Sequence, residues 1–87
     1  MDAQALQDML ALAEQAGSVR EAAAALRQRH AGLRVVVVDD FDMRDETPAA
    51  EGLRHRLFLA ATDGHCWSLT TDLTQAAGVF IAARPAP

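Results

Sequence analysis

The stretch Leu53–Ala83 decides the fold. It reads Leu-Arg-His-Arg-Leu-Phe-Leu-Ala-Ala-Thr, then Asp63-Gly64, then His-Cys-Trp-Ser-Leu-Thr-Thr, then Asp-Leu-Thr-Gln-Ala-Ala, and closes with Gly-Val-Phe-Ile-Ala-Ala. An Asp-Gly pair between two apolar, strand-like runs is a strong hairpin signal, because a two-residue type I′ turn needs positive φ at both central residues. The expected strands are about Leu53–Thr62 and His65–Thr70. A two-residue turn sets Thr62 opposite His65, Ala61 opposite Cys66, Ala60 opposite Trp67 and Phe58 opposite Leu69. Side chains alternate along a strand. Phe58, Ala60, Trp67 and Leu69 then share one face, and Leu57, Leu59, Ala61 and Cys66 share the other. Both faces are apolar.

Downstream, Asp72 caps a short turn of helix with Gln75 three residues on and Gly78 behind it. Val79–Ala83 forms a last strand. Arg84-Pro-Ala-Pro (84–87) is a tail, since proline cannot continue a ladder. Upstream, Leu33–Val38 has four consecutive valines, which suit a strand buried on both faces. Between the two lies Asp39–Gly52, with Asp39, Asp40, Asp42, Asp45 and Glu46. Residues 41–52 read as a solvated, flexible acidic loop.

The N-terminal third is helical. Leu6, Met9, Leu10, Ala13 and Ala16 recur at helical spacing, and Gly17 is expected at the end of that helix. Ser18 stands three residues before Glu21, the pattern of a capping box that opens a second helix. Val19, Ala22, Ala23 and Leu26 form its inner stripe. Arg27, Arg29 and His30 fall in its last turn, where cations complement the helix dipole. The order is α-α-β-β-β-α-β. The class is α+β, with an N-terminal helical hairpin packed on a three- to four-stranded, mainly antiparallel sheet. Residues 1–87 make a single small domain.

Composition narrows the function classes. Of the 87 residues, 51% are hydrophobic and 23% charged, the balance of a globular chain. The net charge is −4 and the isoelectric point about 5.1. Both oppose a bulk affinity for nucleic acid or anionic membrane. The apolar runs are too short to span a bilayer. The opening Met-Asp-Ala-Gln carries acid early and is not expected to be a signal peptide. One cysteine excludes an internal disulfide and suits a cytoplasmic location.

Four constellations bear on chemistry. Cys66 with His65 suggests an activated thiol, but adjacent strand residues point to opposite faces. His55 lies on the Cys66 face by parity, yet roughly 20 Å along the strand from Ala61. The plain reading is a small buried cysteine packing as a hydrophobe. His30, His55, His65 and Cys66 are the borderline metal ligands, and none forms a close zinc-finger pair. The acids of 39–46 lack the glycine and terminal glutamate of an EF-hand, so a solvated loop is the plain reading there. Residues 16–26 resemble the opening of a helix-turn-helix, but a strand follows where a recognition helix belongs. Trp67 is either an interface anchor or a half-core aromatic stacked over Phe58 and Leu69.

Two helices of this size cover one face of a four-stranded sheet. The other face, with Phe58, Trp67 and Leu69, is left for the loop, the short helix or a second subunit. This points to a homodimer or a protein partner. The leading expectation is a non-enzymatic accessory or interaction module without cofactor, metal or catalytic residue. The alternatives are a thiol- or metal-dependent site around His55, His65 and Cys66, or DNA binding through helix 18–30.

The unit Asp63-Gly64-His65-Cys66-Trp67-Ser68-Leu69-Thr70, followed by Asp72 and Ala76-Ala77-Gly78-Val79-Phe80-Ile81-Ala82, resembles a family of small uncharacterised bacterial proteins found among nitrogen-fixation genes. The resemblance covers the last two-thirds of the chain. It implies an accessory role near nitrogenase or its cofactor assembly in the cytoplasm. It assigns no catalytic residue.

Overall fold

Each helix opens on a side-chain cap. In the computed structural model, which describes residues 1–85, α1 spans Ala3–Glu14, and the Asp2 carboxylate accepts the Ala5 amide at 2.7 Å. The second helix, α2, spans Val19–Arg29. Ser18 Oγ accepts the Glu21 amide at 3.1 Å, while Glu21 Oε2 reaches back to the Gly17 amide at 3.0 Å. These bonds satisfy N–H groups that have no partner within the helix. The connection differs from the glycine termination expected at Gly17. Gly64 is the one described residue with positive φ, and α1 ends instead in tight turns from Gln15 to Leu12 and Ala16 to Ala13.

Five strands form one mixed sheet: β1 Arg34–Val37, β2 Ala50–Glu51, β3 His55–Thr62, β4 Trp67–Thr70 and β5 Gly78–Ala83. The order is β1-β5-β3, with β2 and β4 sharing the far side of β3. The pairings are antiparallel except β1 with β5, which run parallel from Arg34↔Gly78 to Val37↔Ile81. Two short 3-10 turns, Phe41–Met43 and Leu73–Gln75, complete the chain. The α+β architecture with a helical hairpin on the sheet therefore stands, with one strand more than expected.

That strand, β2, lies inside the segment read as a loop over 41–52. The segment is also tied to the sheet, since the Ala49 amide donates to Leu57 O at 2.8 Å. The four valines do not form a strand buried on both sides. Strand β1 is a sheet edge where Val35 is buried and Val37 is 38% exposed. Arg27 donates from Nε and Nη2 to Val35 O (3.2 and 2.9 Å) and so closes part of that edge, a common protection against stray pairing. Of the proline tail, Pro85 is described and residues 86–87 lie outside the described residues.

The core sits between helices and sheet. Leu6, Met9 and Ala13 of α1 and Ala22, Ala23 and Leu26 of α2 pack on Val35, Leu57, Leu59, Val79 and Ile81. Each buried leucine contributes roughly 1.5–3 kcal/mol. The buried alanines let the helix backbones approach the sheet closely.

Candidate functional site

Alternation sends the even-numbered residues of β3 away from the helices. Phe58, Ala60 and Ala82 are buried there, yet they stand outside the helix-side cluster. Around them Val36, Leu69 and Phe80 are half-buried, and Trp67 is 42% exposed. Phe58 pairs with Phe80, and Ala60 with Gly78 on one side and Leu69 on the other. A Cβ on Gly78 would stand 3.0 Å from Trp67 Cζ3. The indole therefore lies against Gly78. The buried residues of α1 and α2 pack on the opposite face and not on this one.

The hairpin register shifts from the expected one. Thr62 pairs with Trp67, Ala61 with Ser68, Ala60 with Leu69 and Leu59 with Thr70. The loop is four residues, Asp63–Cys66, closed by the Asp63 amide on Cys66 O at 3.4 Å. A type I′ turn needs positive φ at Asp63, which is absent. The Asp63 carboxylate instead accepts the amides of His65 and Cys66, both at 2.9 Å. Those two bonds, Cys66 first and His65 second, hold its pKa below the ordinary carboxylate value. The shift is by two residues, so the faces keep their parity. Phe58, Trp67 and Leu69 share the outer face as expected, while Cys66 leaves the strand and is exposed in the turn. The buried-hydrophobe reading of Cys66 does not describe this position.

His55 lies at the other end of β3. It is 2% exposed, and its Nδ1 is 3.0 Å from Glu14 Oε2. Glu14 also accepts the Arg54 amide at 3.1 and 3.2 Å. Gly52 makes room for this carboxylate, since any Cβ there would collide with Glu14. Partial burial pushes the Glu14 pKa up. The Arg54 amide, the His55 ring, the Leu53 amide and the His55 charge outweigh it and leave the pKa below 4.5. The pair clips the end of α1 to the start of β3. His55 is the first of the eight residues of β3, and the turn that holds His65 and Cys66 follows the last, so these three do not converge. Among the described residues no group of three or more His, Cys, Asp or Glu side chains is placed to hold a metal ion. No described helix is long and apolar enough to cross a membrane.

A cleft of about 810 Å³ opens where the parallel strands β1 and β5 end. Val19, Val38, Met43 and Pro48 line it. Phe41, 68% exposed, stands in its wall with the Arg44 guanidinium 4.2 Å from the ring centroid. Arg56 projects into it from β3. Its Nη1 donates to both Asp40 oxygens at 2.7 Å and its Nε to Glu51 at 2.6 Å. Those contacts, Asp40 first, raise the Arg56 pKa. Arg84 donates to Gly52 O at 2.6 Å, and its guanidinium lies 3.7 Å from Glu51. Of the acids singled out in the sequence, Asp40 enters an ion pair, while Asp39, Asp42, Asp45 and Glu46 enter none among the described residues. The cleft, with Phe41, Arg56 and Arg84, is absent from the sequence reading. Two apolar residues, Phe41 and Met43, amid the acids were the available signal.

The sequence pattern of the Family of unknown function (DUF6129) matches residues 8–84, and the chain belongs to that family. No curated protein and no solved structure matches the chain.

Proposed function

We propose that this member of the DUF6129 family is a non-enzymatic interaction module that closes its outer sheet face against a second copy of itself. The observation that carries the reading is the contrast between an aliphatic core under two helices and an aromatic face under none. The outer face, with Trp67 exposed and Val36, Leu69 and Phe80 half-buried, leaves apolar surface in water, which is costly and is found at interfaces. A standard interface needs about 800 Å² from each partner, and a molecule with principal extents of 35 × 28 × 20 Å offers a face of that order. Trp67 is the natural anchor, as tryptophan concentrates in the centres of interfaces. An isologous two-fold pair sets each Trp67 against the partner's copy of the same patch. Light scattering tests it: wild type should give twice the 9.3 kDa chain mass, and Trp67→Ser should give a single chain.

The finer proposal rests on the resemblance of the His-Cys-Trp hairpin and the Ala-Gly strand to proteins from nitrogen-fixation gene clusters. It is a cytoplasmic accessory role near nitrogenase or its assembly. Deleting the gene in a diazotroph and measuring growth on dinitrogen against growth on ammonium tests that role; equal deficits on both sources count against it.

A second reading, thiol chemistry at Cys66, is favoured by one observation, the exposure of that side chain beside His65. Thiol titration of the folded protein separates it: a rate no faster than that of an unstructured cysteine peptide removes it.

A further inference from the structure

We propose that the cleft at the ends of β1 and β5 is a docking site for a basic peptide segment of a partner protein, with an apolar side chain as anchor and lysine or arginine beside it. The cleft meets the outer sheet face at Arg56, and binding there requires no pairing of that face with a second copy.

Charge decides the occupant. Each cation of the cleft is already engaged: Arg56 by Asp40 and Glu51, Arg84 by Gly52 O beside Glu51, and Arg44 by Phe41 O at 2.9 Å and by the Phe41 ring. An anionic ligand would compete with Asp40 and Glu51 for Arg56 and Arg84, which leaves Arg44 as the one cleft cation without a carboxylate partner among the described residues. The rim acids Asp39 and Glu46, with Asp42 and Asp45 on the same loop, are left without ion-pair partners among the described residues. The field at the mouth is negative, and a cationic segment neutralises it.

The floor decides the anchor. Val38, Met43 and Pro48 give an apolar wall, and Met is the side chain that best adapts to varied apolar partners. Phe41 stands out into solvent at the edge, where an incoming side chain can pack on it. The volume, about 810 Å³, falls within the range of sites that hold a compact ligand and accommodates a few side chains.

The test uses full-length protein and three labelled peptides. One alternates lysine with leucine, one replaces lysine by glutamate, and one replaces leucine by serine. Backbone amide shifts are followed by NMR. The lysine-leucine peptide should move signals of residues 38–48 and 83–84, and its affinity should fall as salt is raised. Asp39→Asn retains an acceptor for the Phe41 amide, now at 2.9 Å, while removing the charge. Together with Glu46→Gln it should weaken binding about fivefold or more, with an unchanged melting temperature. Phe41→Ala should weaken it separately. The proposal is overturned if no signal moves, if the glutamate or serine peptide binds as well, or if the shifts map to Trp67, Leu69 and Phe80.

Discussion

The two faces of the sheet are built from the same strands and differ in what finishes them. On the inner face, Leu57, Leu59, Val79 and Ile81 lie under Met9, Ala13, Ala22 and Leu26, and every one is buried. On the outer face, Phe58, Ala60 and Ala82 are just as buried, but the side chains around them stay partly open to water. Gly78 has no side chain and so leaves room for the Trp67 indole, whose Cζ3 a Cβ there would meet at 3.0 Å. The inner face is complete within one chain, and the outer one, on the proposal above, is finished by a second copy. Stability should therefore depend on the first face and association on the second.

The largest effect should come from the inner face. Leu57→Ala leaves a cavity under both helices and should cost about 2–5 kcal/mol, read as a lower urea midpoint. A loss below about 1 kcal/mol would mean that the two faces do not differ as described.

The Glu14–His55 clip comes next. Glu14→Ala strands the His55 ring in a buried site and should cost about 1–3 kcal/mol. The sign with pH follows from the lowered Glu14 pKa. The contribution is full above the ordinary value of 4.5 and is lost as pH falls through the lower folded value. The stability gap between wild type and Glu14→Gln should thus narrow on acidification below about pH 4.5. A gap that widens there contradicts the clip.

A smaller loss is expected at the hairpin tip. Gly64 has φ +97°, and Gly64→Ala should cost about 1 kcal/mol through backbone strain, with the oligomeric state unchanged. The smallest loss sharpens the comparison most. Leu69→Ser on the outer face should change the stability of the single chain by less than about 1 kcal/mol while weakening self-association measured by sedimentation.

Much of this contrast was legible in the residues themselves. The capping pair Ser18 and Glu21 and the stripe Ala22, Ala23, Leu26 mark α2, because helix period and cap chemistry are local. The hairpin was legible as an event but not in register. Asp-Gly favours a two-residue turn, yet the Asp63 carboxylate gains more by taking the His65 and Cys66 amides than by a left-handed backbone. Parity survived that error, so the outer face was named correctly while Cys66 was misplaced. Strand β2 has two residues and no period to read. The parallel pairing of β1 with β5 is a long-range choice that no local signal records. The cleft is of the same kind: Asp40, Arg56 and Arg84 are far apart in sequence, and only the fold brings them together.

Closure of the outer sheet face on a copy of itself is the property to measure first. Light scattering of wild type and Trp67→Ser over a range of concentrations measures this directly. The expected result is a wild-type mass of two 9.3 kDa chains, and one chain for the variant with its helical circular dichroism intact. A wild-type mass of a single chain at the highest concentration reached would contradict it.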